Sequence, residues 1–198
     1  MNNKPKIILA SKSPRRREML EHLGLKPTVL VSNADENITE SLSPERFVEE
    51  VSLRKAEAVK PLCSEDDLII ASDTVVCIGD KILGKPKDEA DALEMLSLLS
   101  ETTHKVISGL ALIRNGKTVL SHEITEVTFR KIEADEAKAY VATGECYDKA
   151  GSYGIQDRAA VFTEKISGDY LNVVGLPVFR LFSLLKSEYG LDFFNLSS

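Results

Sequence analysis

One apolar run, Leu68-Ile69-Ile70-Ala71-Ser72-Asp73-Thr74-Val75-Val76-Cys77-Ile78, constrains the fold of this chain more than any other segment. It reads as a long strand, ended by Gly79-Asp80. Strand alternation puts Asp73 on one face with Ile69, Ala71, Val75 and Cys77. A carboxylate on an apolar face is costly to bury unless a cation or hydrogen bonds compensate. A metal ion, a lysine or a break in the strand would each do so, and a structural Asp between two short strands is the plainer alternative. Ser72 and Thr74 point to the opposite face of a regular strand, so Asp73 and Thr74 can serve one site only if the strand bulges or ends near Ser72.

Around this run the chain alternates strands and helices. Ile7–Ala10 and Thr28–Val31 read as short strands. Ser13 with Pro14 opens a helix that Gly24 closes, and Ser43-Pro44 opens another running to about Lys60. Asp88–Ser100 is helical, with Ala92, Leu93, Leu96 and Leu99 inward. Lys105–Arg114 and Thr118–Arg130 flank Asn115-Gly116, a hairpin signal. Ala134–Thr143 is helical up to Gly144, Ala160–Ile166 is strand-like, and Leu176-Pro177 opens a last helix to about Tyr189. The tail from Asp192 is expected to fray. Hairpins mixed with crossovers define an α/β or α+β domain, and the 198 residues suit one domain, 1–198, with room for two lobes around a cleft.

Composition narrows the function. Hydrophobic residues at 43% and charged residues at 28% exclude general disorder. No apolar run reaches the ~20 residues of a membrane span, and Ile7–Ala10 is too short for a signal peptide. Cys63, Cys77 and Cys146 show neither disulfide nor zinc spacing, so the expected compartment is the reducing cytoplasm. A net charge of −6 argues against a general nucleic-acid binder. Residues 1–17, however, hold six bases and no acid, which leaves −12 on the remainder. A basic end on an acidic protein suits a small anionic ligand, and a solvated basic end is the plainer alternative.

Four local features carry chemistry. In Ala10-Ser11-Lys12-Ser13-Pro14-Arg15-Arg16 a strand ends and a helix begins with arginines in its first turn. Cations are unfavourable there by up to about 1 kcal/mol unless an anion sits among them. A bound phosphate repairs this and matches the arginine fork; the alternative is two arginines reaching out to solvent. Asp73 is the second feature. Lys55 is the third, since it falls on the helical stripe of Val48, Val51 and Val59 and so needs an anionic partner or a route to water. The fourth is Tyr147-Asp148-Lys149-Ala150-Gly151-Ser152-Tyr153-Gly154-Ile155-Gln156-Asp157, where glycines permit close approach, Lys149 brings charge and Gln156 can read a base edge; an ordinary glycine-containing turn is the alternative. His22, His104 and His122 have no metal spacing, and neither a G-x-x-x-x-G-K-[ST] loop, a G-x-G-x-x-G turn nor a G-x-S-x-G elbow is present.

Together, six segments in order resemble the Maf family of nucleotide pyrophosphatases: Ser11–Arg16, Ala34-Asp35-Glu36, Ser72–Val76, Leu83-Gly84-Lys85-Pro86, Asp148–Gln156 and Val173-Val174-Gly175-Leu176-Pro177. The resemblance implies a two-lobed mixed α/β protein related in shape to inosine triphosphate pyrophosphatases, a homodimer, and a Mg²⁺ or Mn²⁺ requirement. It implies Asp73 as general base, Glu36 with Asp73 at the metal, and Ser11, Ser13, Arg16, Lys55 and Lys85 on the phosphates; the charge that Lys149 brings to its loop makes it a further candidate phosphate contact. Arg15, Thr74 and Gln156 match the positions that mark the subgroup preferring dTTP and UTP.

The expected reaction is attack of water on the α-phosphorus, giving a monophosphate and pyrophosphate, with positioning and electrostatics supplying most of the catalysis. Three other readings are weaker. A non-catalytic nucleotide-binding regulator of cell division would keep the basic site without turnover. An aspartyl phosphatase wants a second Asp two residues after the first, where this chain has Val75. A purely structural module leaves Lys55 and Asp73 unexplained.

Overall fold

The computed structural model describes residues 4–196. Among them one mixed sheet holds seven strands, in the order β2-β1-β3-β5-β6-β7 with β4 paired to β3. The strands are β1 (Ile7–Leu9), β2 (Thr28–Val29), β3 (Leu68–Ile78), β4 (Lys81–Leu83), β5 (Thr103–Arg114), β6 (Lys117–Phe129) and β7 (Thr163–Ser167). The α-helices are α1 (Pro14–His22), α2 (Pro44–Val59), α3 (Glu89–Leu99), α4 (Ala134–Val141), α5 (Tyr170–Val174), α6 (Val178–Tyr189) and α7 (Phe193–Leu196). β1 pairs in parallel with both β2 and β3, whereas β4 and β7 pair antiparallel with β3 and β6. This is the expected mixed α/β class.

The sequence signals act through identifiable contacts. Gly24 takes φ 79°, and the bonds Gly24 N–H to Glu21 O and Leu25 N–H to Leu20 O close α1 in a Schellman turn. Ser43 Oγ accepts from Arg46 N–H at the start of α2, and Asp88 Oδ1 accepts from Asp91 N–H at the start of α3. Asn115 and Gly116 both have positive φ, 49° and 72°, the signature of the tight turn that joins β5 to β6.

Several expectations need correction. The Thr28–Val31 strand stops at Val29. Residues 160–162 belong to a 3-10 turn, Arg158–Phe162, that precedes β7. Met95 takes the buried place on α3 expected of Leu93. The tail expected to fray forms α7 with Leu196 buried; the first three and the last two residues lie outside the described range. β4 and α5 were not read from the sequence.

The chain divides into two compact units: residues 1–73, 108–123 and 175–198 in one, and 74–107 with 124–174 in the other. In the first, Ile69 and Ala71 of β3 and Ile8 and Ala10 pack with Ala56 and Val59 of α2 and with Ala111 and Ile113 of β5. In the second, His104, Phe129, Tyr153 and Phe162 form an edge-to-face aromatic cluster. His104 Nε2 meets the Tyr153 hydroxyl at 2.8 Å.

Candidate active site

In the first unit, the face of β3 that carries Ile69 and Ala71 lies under the α2 stripe of Ala56 and Val59. Asp73 is the next residue on that strand face, and Lys55 lies beside Ala56 on the helix. The alternation that buries apolar residues thus delivers a carboxylate to an ammonium. Lys55 Nζ donates to Asp73 Oδ1 at 2.7 Å, with side-chain exposures of 11% and 17%. Glu36, from the loop between β2 and α2, brings Oε2 to 3.4 Å from the same ammonium. The inward lysine and the strand carboxylate therefore compensate each other, as β3 requires. The expected end of the strand near Ser72 does not occur: β3 runs on through Asp73 and Thr74 to Ile78, and both residues are half-buried.

Of the arginines at the start of α1, Arg16 does not reach outward. Arg16 Nε donates to the Gly175 carbonyl at 2.7 Å, and its Nη1 donates to Ser11 Oγ at 3.2 Å. Ser11, at 5% exposure, also accepts from Ser13 N–H at 3.1 Å. A hydroxyl that accepts twice still has its own proton to donate. Burial lowers the Arg16 pKa from its ordinary value, and Asp73, followed by Glu36, opposes that shift while Arg15 adds to it. An arginine stays charged through such a shift. Arg16 thus feels both carboxylates of the Lys55 cluster. Ser13 has extended N-cap backbone geometry but its side chain makes no cap bond, so this hydroxyl is not spent on the helix.

In the second unit, Lys149 Nζ donates to the Glu145 carbonyl and to Asp148 Oδ1, both at 2.7 Å, and lies 3.3 Å from Asp157 Oδ2. Gly154 leaves room for this: a Cβ there would come within 2.4 Å of Asp157 Oδ2 and 2.5 Å of Lys149 Cε. Gly151 N–H donates to the Gly84 carbonyl at 3.0 Å, which ties the 148–156 segment to the residue preceding Lys85. Lys85 and Gln156 are exposed, and Thr74 is half-buried.

Sequence reasoning missed two features. Gly175, with φ 125° in the region that favours glycine, presents the carbonyl that anchors Arg16. Arg54 donates to the carbonyls of Asp35 and Asn37 on either side of Glu36. Backbone acceptors carry no side-chain signature, so neither could be read beforehand; Gly175 lay within a matched motif but without an assigned role.

As to a metal, no group of three His, Cys, Asp or Glu side chains converges on one position among the described residues. Two carboxylates, Glu36 and Asp73, do converge on a single cationic point, occupied by Lys55 Nζ. That donor set fits Mg²⁺, which takes one or two carboxylates and completes its shell with phosphate oxygens and water.

Basic groups and paired carboxylates thus meet in one cluster of a mixed α/β chain. The chain belongs to the Maf family, whose "Maf-like protein" model matches residues 6–188. It is 47% identical over 186 residues to a dTTP/UTP pyrophosphatase of Thermoanaerobacter sp. (strain X514), covering 93% of this chain and 97% of that protein. It is 48% identical over 187 residues to a dTTP/UTP pyrophosphatase of Bacillus cereus (strain AH820), covering 94% and 97%. Among solved structures, the Staphylococcus aureus Ham1 protein matches with 17% identity and a TM-score of 0.45, over 63% of this chain and 71% of that one.

Proposed function

We propose that this chain is a nucleoside triphosphate pyrophosphatase that hydrolyses dTTP and UTP to the monophosphate and pyrophosphate. The observation that carries the reading is the convergence of Glu36 and Asp73 on Lys55, with Arg16 within electrostatic range of both acids. The near full-length identity to dTTP/UTP pyrophosphatases supports it. In this reading Arg16, Ser11, Ser13 and Lys55 bind the triphosphate, together with Lys85 and Lys149. Asp73 accepts the proton of the attacking water, and the ammonium 2.7 Å away holds the carboxylate in place. Lys55 and Arg16 offset the charge that moves onto the leaving pyrophosphate. Arg15, Thr74 and Gln156 set the preference for pyrimidine bases. A divalent cation, Mg²⁺ or Mn²⁺, would be held by Glu36 and Asp73; when bound it lowers the pKa of water and screens phosphate charge. The expected setting is the cytoplasm, where nucleotides are plentiful, and the expected assembly a homodimer; no helix among the described residues is long and apolar enough to cross a membrane.

The test is a panel of dTTP, UTP, CTP and GTP with Mg²⁺, read by pyrophosphate release. The wild type is expected to favour dTTP and UTP. Asp73→Asn, which keeps the size of the side chain, is expected to retain the melting temperature and lose at least about 10²-fold in kcat, the contribution of a positioned base. In the same panel Gln156→Ala is expected to change the ratio between nucleotides. Full turnover by Asp73→Asn, or release of orthophosphate in place of pyrophosphate, would overturn the mechanism.

A further inference from the structure

The Glu36 carboxylate is more than half exposed and rises from a loop with no regular structure, yet it lies 3.4 Å from Lys55. Holding a charged side chain from such a loop at one place costs conformational entropy, so something must fix the backbone on both sides of it. One side chain does. Arg54 Nη1 donates to the Asn37 carbonyl at 2.9 Å and to the Asp35 carbonyl at 3.3 Å. Its Nε donates to Glu50 Oε1 at 2.8 Å, one helical turn back on α2. The guanidinium is thereby fixed to the helix at one end and grips the loop at the other. Asp35 completes the arrangement, since its Oδ1 accepts from the backbone N–H and the side-chain amide of Asn37, both at 2.9 Å. Upstream, Ser32 Oγ accepts from Ala34 N–H at 3.0 Å.

Arg54 is also the neighbour of Lys55 in sequence. Adjacent residues on a helix point about 100° apart. Lys55 turns inward to Asp73, and Arg54 turns to the loop. α2 therefore delivers the ammonium with one residue and the carboxylate that approaches it with the preceding one. From this geometry we infer that Arg54 is a positioning residue for catalysis: it holds Glu36 in register with Lys55 and Asp73 without touching the substrate. The arginine fork spans Glu50 and the two carbonyls, whereas a lysine at 54 would offer a single point charge without the fork. The inference rests on the pyrophosphatase reading for its consequence in turnover, but not for its structural content.

Four proteins test it: wild type, Arg54→Ala, Glu36→Gln and the double variant, with Arg54→Lys as the conservative control. Outer partners of metal ligands contribute about 10–100-fold. Arg54→Ala is expected to raise the Mg²⁺ concentration for half-maximal turnover by a factor in that range, with an unchanged melting temperature. Arg54→Lys is expected to restore part of the loss. In the Glu36→Gln background the same Arg54→Ala change is expected to have almost no further effect, because a residue acting through Glu36 has nothing left to position. Amide hydrogen exchange of residues 35–38 is expected to quicken in Arg54→Ala, a readout independent of turnover. Additive effects of the two substitutions, or exchange at residues 35–38 equal to wild type, would overturn the role of Arg54. A wild type that releases no pyrophosphate from any nucleotide would instead sink the pyrophosphatase reading, and the exchange experiment would still decide whether Arg54 holds the loop.

Discussion

At the scale of single residues, what could be read in advance was whatever broke a local rule. A lysine on an apolar helical stripe and an aspartate in an apolar strand each demand a partner, and they are partners, at 2.7 Å. Arginines in the first turn of α1 likewise demand an anion. Arg16 is met by the Gly175 carbonyl and Ser11, which hold the guanidinium in place beside the acids. Residues that break no rule stayed silent. Arg54 looks like any exposed helical arginine until the loop carbonyls are seen against it. The histidines divide in the same way: His122 Nδ1 meets Glu49 Oε1 at 2.7 Å, whereas His104 is sealed in the aromatic cluster. Burial drops the His104 pKa from 6.5 to about 4. The unfolded chain then binds a proton before the folded one as the pH falls. The contribution of neutral His104 is therefore complete above about pH 6.5 and is lost progressively down to about pH 4, amounting to about 3 kcal/mol. Urea titrations at pH 7.5, 6 and 5 should show His104→Gln losing less stability across this range than the wild type. Parallel pH profiles for the two proteins would refute the assignment.

At the scale of elements, caps and breakers were the legible part. The starts of α2 and α3 and the end of α1 fall within a residue or two of Ser43-Pro44, Asp88 and Gly24, because each places a specific donor, acceptor or positive φ at the terminus. The 3-10 turn at Arg158–Phe162 was misread since a short apolar run has the same composition in a turn as in a strand. How closely elements approach was illegible. Gly109 on β5 faces the backbone of α2 so closely that a Cβ would fall 2.2 Å from the Val48 carbonyl oxygen and 2.8 Å from Glu49 N. The obstacle is backbone, so it cannot rotate away. Gly109→Ala must push α2 off β5, and overpacking of this kind costs about 1–3 kcal/mol. Because the same helix carries Lys55, which meets Asp73 on β3, the shift should also lower kcat on dTTP and UTP at temperatures where the variant is fully folded. Denaturant titration with turnover measured below the transition checks both effects. A Gly109→Ala protein of wild-type stability would show that the helix does not rest on the glycine.

At the scale of the whole molecule, the sequence indicated a mixed α/β class, but not that one compact unit is assembled from three separate stretches of chain, since strand order depends on long-range pairings that no window displays. Charge is the whole-molecule property that the sequence does define, and it raises a conflict. The protein carries −6, and its substrate under the proposed function is a polyanion. If net charge governed the encounter, repulsion would slow it, and salt would speed it by screening. The local arrangement argues the other way. Arg15, Arg16 and Lys55 sit in one unit, where Asp73 and Glu36 act on Arg16 as opposing charges, while most of the excess acid is spread over the rest of the sequence. Screening removes distant contributions first: the Debye length shrinks from ~30 Å at about 10 mM salt to ~8 Å at about 150 mM. Modest salt should therefore relieve the long-range repulsion and leave nucleotide capture little changed. Higher salt, where the Debye length approaches ~3 Å near 1 M, should weaken the contacts of the basic cluster itself and raise KM. The expected profile of kcat/KM for dTTP, at fixed free Mg²⁺, is flat or slightly rising at first and then falling, with Arg16→Ala abolishing most of the late fall. A steady rise across the whole range would mean that the overall −6, and not the cluster around Arg16, controls how the nucleotide is captured.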